Sequence, residues 1–95
     1  MNKKTIGIIG GMGPLATADL FRKIVTHTRA ACDQDHLHVI IDNNTAIPDR
    51  TAALLQGGED PLPQMQKSAR MLEFDGADCL IMPCNTAHCF HAQVQ

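Results

Sequence analysis

Apolar residues in this chain come in blocks, and the blocks alternate between two kinds. The segment Lys4 to Ile9 is a short apolar run without alternation, which predicts a buried strand, and the glycine cluster Gly10 to Gly13 punctuates it. Leu15, Ala18, Phe21, Ile24, Val25 and Thr28 then recur at spacings of three and four, the period of an amphipathic helix ending near Ala31. Pro14 stands at the first position of that helix, where its missing N–H is no loss. Cys32 to Asp35 is a polar turn. Leu37 to Ile41 is a second apolar run, rich in β-branched residues and closed by Asp42. Asn43 to Arg50 is a loop containing Pro48, and Thr51 to Gln56 is a short helix ended by Gly57-Gly58. A longer helix follows, with Asp60 as N-cap, Pro61 in its first turn and Gly76 just past its end; its apolar face is Leu62, Met65, Ala69 and Leu72. Cys79 to Met82 is the third run, in which Cys79 is expected to be core. Asn85 or Thr86 caps a final helix continuing to Gln95.

The predicted order is β-α-β-α-β-α. Runs that are apolar without alternation belong to strands covered on both faces, and helical crossovers of this length enforce parallel pairing. The fold class is therefore α/β, a three-layer open parallel sheet with helices on both faces. Ninety-five residues allow one domain, with a thin core. Three strands make a narrow sheet and the last helix has no C-cap, so residues 1–95 are expected to be a partial domain of a larger fold.

Charge and composition remove several classes of function. A net charge of −2 lacks the basic footprint of a nucleic-acid or acidic-membrane binder. No apolar run approaches the roughly 18–20 residues of a membrane span, and the N-terminal apolar stretch is too short and too glycine-broken for a signal peptide. The expected compartment is the cytoplasm, where the four cysteines would be free thiols.

In an open parallel sheet, ligands bind beyond the carboxyl ends of the strands. Three loops leave those ends: Gly10–Pro14, Asp42–Arg50 and Pro83–Thr86. The first contains Gly11-Met12-Gly13-Pro14-Leu15-Ala16, which matches the dinucleotide pattern Gly-x-Gly-x-x-Ala, with Asp42 ending the next strand. Pro14, however, deletes one of the donors that a pyrophosphate needs at a helix N-terminus. A tight turn that lets a small ligand approach the backbone is the better reading. In the second loop, Arg50 offers a bidentate fork for a carboxylate, or alternatively pairs locally with Asp49.

The third loop holds Cys84, after Pro83 and before a helix. The positive end of a helix dipole favours the thiolate there, while Asn85 and Thr86 add donors able to hold a carboxylate. A small buried residue is the alternative for Cys84. Cys79, Cys84 and Cys89, with His88 and His91, match no compact zinc spacing, so no metal is expected.

The three segments Gly7-Ile8-Ile9-Gly10-Gly11-Met12-Gly13-Pro14-Leu15-Ala16-Thr17, Ile47-Pro48-Asp49-Arg50-Thr51 and Met82-Pro83-Cys84-Asn85-Thr86-Ala87-His88 together resemble the N-terminal half of the aspartate/glutamate racemase family. That resemblance implies a cofactor-independent amino-acid racemase or epimerase. Of its two cysteines, one thiolate removes the Cα proton and the other thiol returns a proton to the opposite face. By the same resemblance, Cys84 is one acid/base, Asn85 and Thr86 grip the α-carboxylate, Arg50 takes the side-chain carboxylate of an acidic amino acid, and Met12 and Gly13 line the pocket. The family's second cysteine lies in a further half of similar size, so a truncated chain is expected to be weak or inactive alone. Its expected partners are a small acidic amino acid and, for completion of the site, the missing half or a second copy. A carboxylate-binding remnant without turnover, and a related thiol-dependent isomerase or decarboxylase, are the competing readings.

Overall fold

The computed structural model describes residues 4–83. Cys84, Asn85, Thr86, His88, Cys89, His91 and the final helix expected to run to Gln95 lie outside the described residues.

Three strands form one parallel sheet. β1 (Thr5–Gly10) is central, with β2 (His38–Asn43) on one side and β3 (Cys79–Ile81) on the other. The register aligns Ile8 with Ile41 on β2 and with Ile81 on β3. Between the strands run α1 (Pro14–His27), a single 3-10 turn at Asp33–Asp35, α2 (Arg50–Leu55) and α3 (Leu62–Phe74). The β2-to-β3 connection passes over β1 in the direction opposite to the β1-to-β2 connection. Crossovers of one hand therefore put α1 and α3 on opposite faces. Two glycines of β1 mark those faces: a Cβ on Gly10 would strike Thr17 of α1, and one on Gly7 would strike Leu80 of β3 and Ala77 just after α3 and press on Leu72 of α3. The expected α/β fold, with a parallel sheet between helices, is the observed one.

The core is gathered on the α3 face. Ile9, Met65, Ala69 and Leu72 are buried there together with Met12, Ile47 and Met82, and Ile40, Ala77 and Leu80 pack against them. Burying an aliphatic side chain of this size fully is worth about 1.5–3 kcal/mol. Leu62, expected on the same helix face, is only half-buried, while Ser68 is fully buried. On the other face Ile8 is buried, yet the single buried residue of α1 is Thr17.

Cys79 is not core. It is exposed, because it opens the edge strand β3 on the side facing α1, which α1 does not reach across to cover. For the same reason β2 and β3 are not buried on both faces as their composition predicts.

Helix ends are set by local hydrogen bonding. α1 stops at His27, short of Ala31, where Thr28 turns extended and sends its hydroxyl back to the Ile24 carbonyl. Asp60 lies one residue ahead of the cap position, which Pro61 occupies; its carboxylate accepts the Leu62 N–H. Gly76, at φ 100°, ends α3 as expected, and the Ala77 N–H reaches back to the Leu72 carbonyl.

Candidate functional site

Two described loops leave the carboxyl edge of the sheet, and the stub of a third follows β3. Each contributes one apolar side chain to the core beneath: Met12 from the first, Ile47 from the second and Met82 from the third, at 4%, 5% and 6% exposure. All three join the cluster containing Met65, Ala69 and Leu72 of α3. The loops are thus nailed to a shared floor, which fixes their backbones relative to one another. Met12, expected to line a pocket, serves with its side chain as one of these nails.

The first loop is held by Thr17. Its hydroxyl oxygen accepts the Gly11 N–H (3.0 Å) and donates to the Gly13 carbonyl (3.2 Å), bonds that account for a threonine buried one turn into an otherwise exposed helix. Gly11 has φ +97°, and a Cβ there would lie 2.4 Å from the backbone of Asn44 in the second loop. Glycine is required at that position on both counts, by conformation and by space. Gly13 has open space where a Cβ would project, so its backbone is approachable from outside.

The second loop ends at α2. Asp49 caps this helix, its carboxylate accepting the Thr51 and Ala52 N–H groups at 2.9 and 3.1 Å. The carboxylate is thereby committed to the helix end. Asp19 makes ion pairs with Arg22 and Lys23 on the exposed side of α1. Arg50, the first residue of α2, is half-buried and donates from one terminal nitrogen to the Pro48 carbonyl (3.3 Å). Its Nε is buried without a hydrogen-bond partner. A guanidinium donor in that state has lost its water and gained nothing in exchange, a cost that an acceptor reaching it would remove.

The described cysteines do not share this edge. Cys79 begins β3, and Cys32 follows α1, which runs back from the carboxyl edge. Cys79 pairs at the level of Ile6, about 13 Å of strand from Gly10 at the loop edge. Among the described residues there is no cluster of three or more metal-ligating side chains, and no helix is long and apolar enough to cross a membrane. A shallow depression lined by Arg70, Met71, Phe74 and Asp75 belongs to one end of α3, with no second element to form an opposing wall.

One participant was missed in the sequence. Asn44 joins the second loop to α3 through Ser68 and Gln64. The available signal was Ser68 itself: a polar residue within the apolar face of a helix requires a partner.

Comparison with known proteins gives a consistent picture. A family model described as Asp/Glu/Hydantoin racemase matches residues 9–95. A broad specificity amino-acid racemase, RacX, of Bacillus subtilis (strain 168) is 28% identical, the match covering 95% of this chain and 40% of the relative. The Picrophilus torridus aspartate racemase superposes with a TM-score of 0.90 at 40% identity, over 95% of this chain and 39% of that one. An aspartate racemase homologue from Pyrococcus horikoshii OT3 gives a TM-score of 0.77 at 26% identity, over 97% and 40%. The chain therefore spans about two-fifths of the length of the relatives it matches.

Proposed function

Since the chain belongs to the Asp/Glu/hydantoin racemase family, we propose that it carries one wall of the active site of a cofactor-independent racemase acting on an acidic amino acid. The observation that carries the acidic substrate is Arg50, whose Nε is buried and unpartnered at the start of α2, directly after the loop that leaves the carboxyl end of β2. A carboxylate accepting from Nε and the neighbouring terminal nitrogen would complete the guanidinium's hydrogen bonding in the bidentate manner that favours arginine over lysine. The backbone at Gly13, open to solvent on its Cβ side, leaves room for the substrate to lie against the glycine loop.

In this reading Cys84 takes or returns the Cα proton, and Asn85 and Thr86 hold the α-carboxylate. An amino-acid Cα–H is a very weak acid, so the carbanion must be stabilised by donors focused on the carboxylate in a site with little water. A thiolate suits the task because helix-end donors tune its basicity towards neutral pH. Racemisation also needs a second acid/base on the opposite side of Cα. Cys32 and Cys79 stand at the far edge of the sheet, away from that position. We assign the opposite thiol to the part of the family fold that this chain, at about two-fifths of its relatives' length, does not span, and the chain alone is expected to exchange the Cα proton without inverting the centre efficiently.

Incubation with L-aspartate in deuterated water tests this. Deuterium at Cα with retained configuration, abolished by Cys84→Ser, is the expected result for one working thiol. Rapid loss of optical purity would mean that a second acid/base is already present. Binding without any exchange would leave a carboxylate-binding module, and neither binding nor exchange would remove the proposal.

A further inference from the structure

Resting on the carboxylate-binding reading of Arg50, we propose that Asn44 is the positioning residue of that site, holding the arginine loop and the glycine loop at a fixed separation. Every hydrogen-bonding function of Asn44 is committed. Its backbone N–H donates to the Gly10 carbonyl (3.0 Å), extending the β1–β2 ladder one residue past the strand ends. Side-chain Nδ2 donates to Ser68 Oγ (3.0 Å) and to Gln64 Oε1 (3.2 Å), one turn apart on α3. Oδ1 accepts the Ala46 N–H (3.0 Å), closing a local turn at the start of the loop. The Asn44 carbonyl receives the Ile47 N–H (3.4 Å), leading directly to the buried anchor of that loop.

The same residue touches the other wall. The backbone of Asn44 fills the space where a side chain at Gly11 would stand. One residue thus abuts the glycine loop through its main chain and is tied to α3 through its side chain. Three residues beyond Ile47 the chain reaches Arg50. Aspartate at 44 would lose both Nδ2 donations, and could pair with Gln64 and Ser68 only if the Gln64 amide turned to present its Nε2 and the Ser68 hydroxyl reversed. Ser68 is fully buried, so its hydroxyl depends on this bond for a partner within the cluster.

A residue that merely stabilises the fold would alter melting and leave ligand preference alone. A residue that positions Arg50 must change the preference for an acidic over a neutral amino acid. The experiment is titration of the full chain with L-aspartate and with L-alanine, for the wild type, Asn44→Ala, Arg50→Lys and the double variant, with Ile8→Ala, on the opposite face of the sheet, as a destabilised control. Asn44→Ala is expected to reduce the aspartate-over-alanine preference by about fivefold or more and to add little to Arg50→Lys in the double variant, the non-additivity of residues acting as one unit. Ile8→Ala is expected to lower the melting temperature and keep the preference, since Ile8 is buried on the face away from the cluster that anchors the loops. Preservation of the preference in Asn44→Ala, or full additivity with Arg50→Lys, overturns the proposal. Should Asn44→Ala fail to fold, Ser68→Ala removes one of its bonds and is read in the same way. Amide exchange separates this proposal from the one it rests on. If the wild type binds neither amino acid, the substrate reading fails, and exchange at Ala46, Ile47, Thr51 and Ala52 then decides the role of Asn44. Selective acceleration there in Asn44→Ala supports positioning, and unchanged exchange overturns it.

Discussion

The two faces of the sheet differ in how they are built. Against α3 lies a continuous cluster in which Ile9, Met65, Ala69 and Leu72 meet one side chain from each loop at the carboxyl edge. Against α1 lie Ile8 and Thr17, while Phe21, Val25, Ile41 and Ile81 remain more than one-third exposed. The site loops are therefore referenced to the α3 face. α1 contributes to them chiefly through the hydroxyl of Thr17. Stability and site geometry share one structural base on one side of the sheet, and the other side is comparatively free to vary.

Cavity-forming substitutions break this comparison most directly. Met65→Ala or Leu72→Ala is expected to cost about 2–5 kcal/mol in denaturant unfolding, since both side chains are almost wholly buried. Phe21→Ala on α1 should cost about 1 kcal/mol, because 41% of that residue is already in water. Equal losses on the two faces would contradict the one-sided core. The next effect is at the glycine loop. Gly11→Ala should destabilise by about 1–3 kcal/mol through a positive φ and a collision with Asn44, whereas Gly13→Ala, with free space and an extended backbone, should stay within about 0.5 kcal/mol.

Two smaller tests sharpen the contrast. Asp49→Ala removes the cap of α2 and should cost about 1 kcal/mol, with weaker aspartate binding because Arg50 begins that helix. On α1, hydrogen bonds and charge from Lys23 and Arg22 hold the Asp19 carboxyl below its ordinary value. A depressed carboxylate contributes stability above its unfolded pKa and loses it as pH falls through the folded value. The Asp19 side chain is open to solvent, which screens the effect, and Asp19→Asn should leave the unfolding midpoint unchanged at neutral pH.

The strands and long helices were legible in the sequence because burial imposes periodicity, and periodicity survives without knowledge of tertiary contacts. Gly76 and Pro14 marked helix ends for reasons internal to the backbone. What eluded the pattern depended on which neighbour covers a residue. Cys79 sits in an apolar run, yet composition cannot tell an edge strand with one open face from a central strand. Met12 was correctly placed in a loop at the carboxyl edge, but the direction of its side chain, down into the core, is decided by α3. Arg50 was legible as a candidate carboxylate ligand through its motif, while its buried, unpartnered Nε emerged only from the folded structure. Asn44 looked like one more polar loop residue, and only Ser68, out of place on an apolar helix face, hinted at it.

The central claim is that the carboxyl-edge loops bind an acidic amino acid through Arg50 beside a reactive Cys84. Alkylation of Cys84 by iodoacetamide, resolved from Cys32 by peptide mass spectrometry, tests it most directly. The account predicts faster modification of Cys84 than of Cys32 at neutral pH, slowing when L-aspartate is added, and loss of that slowing in Arg50→Lys. Modification of Cys84 no faster than of Cys32, and indifferent to aspartate, would contradict it.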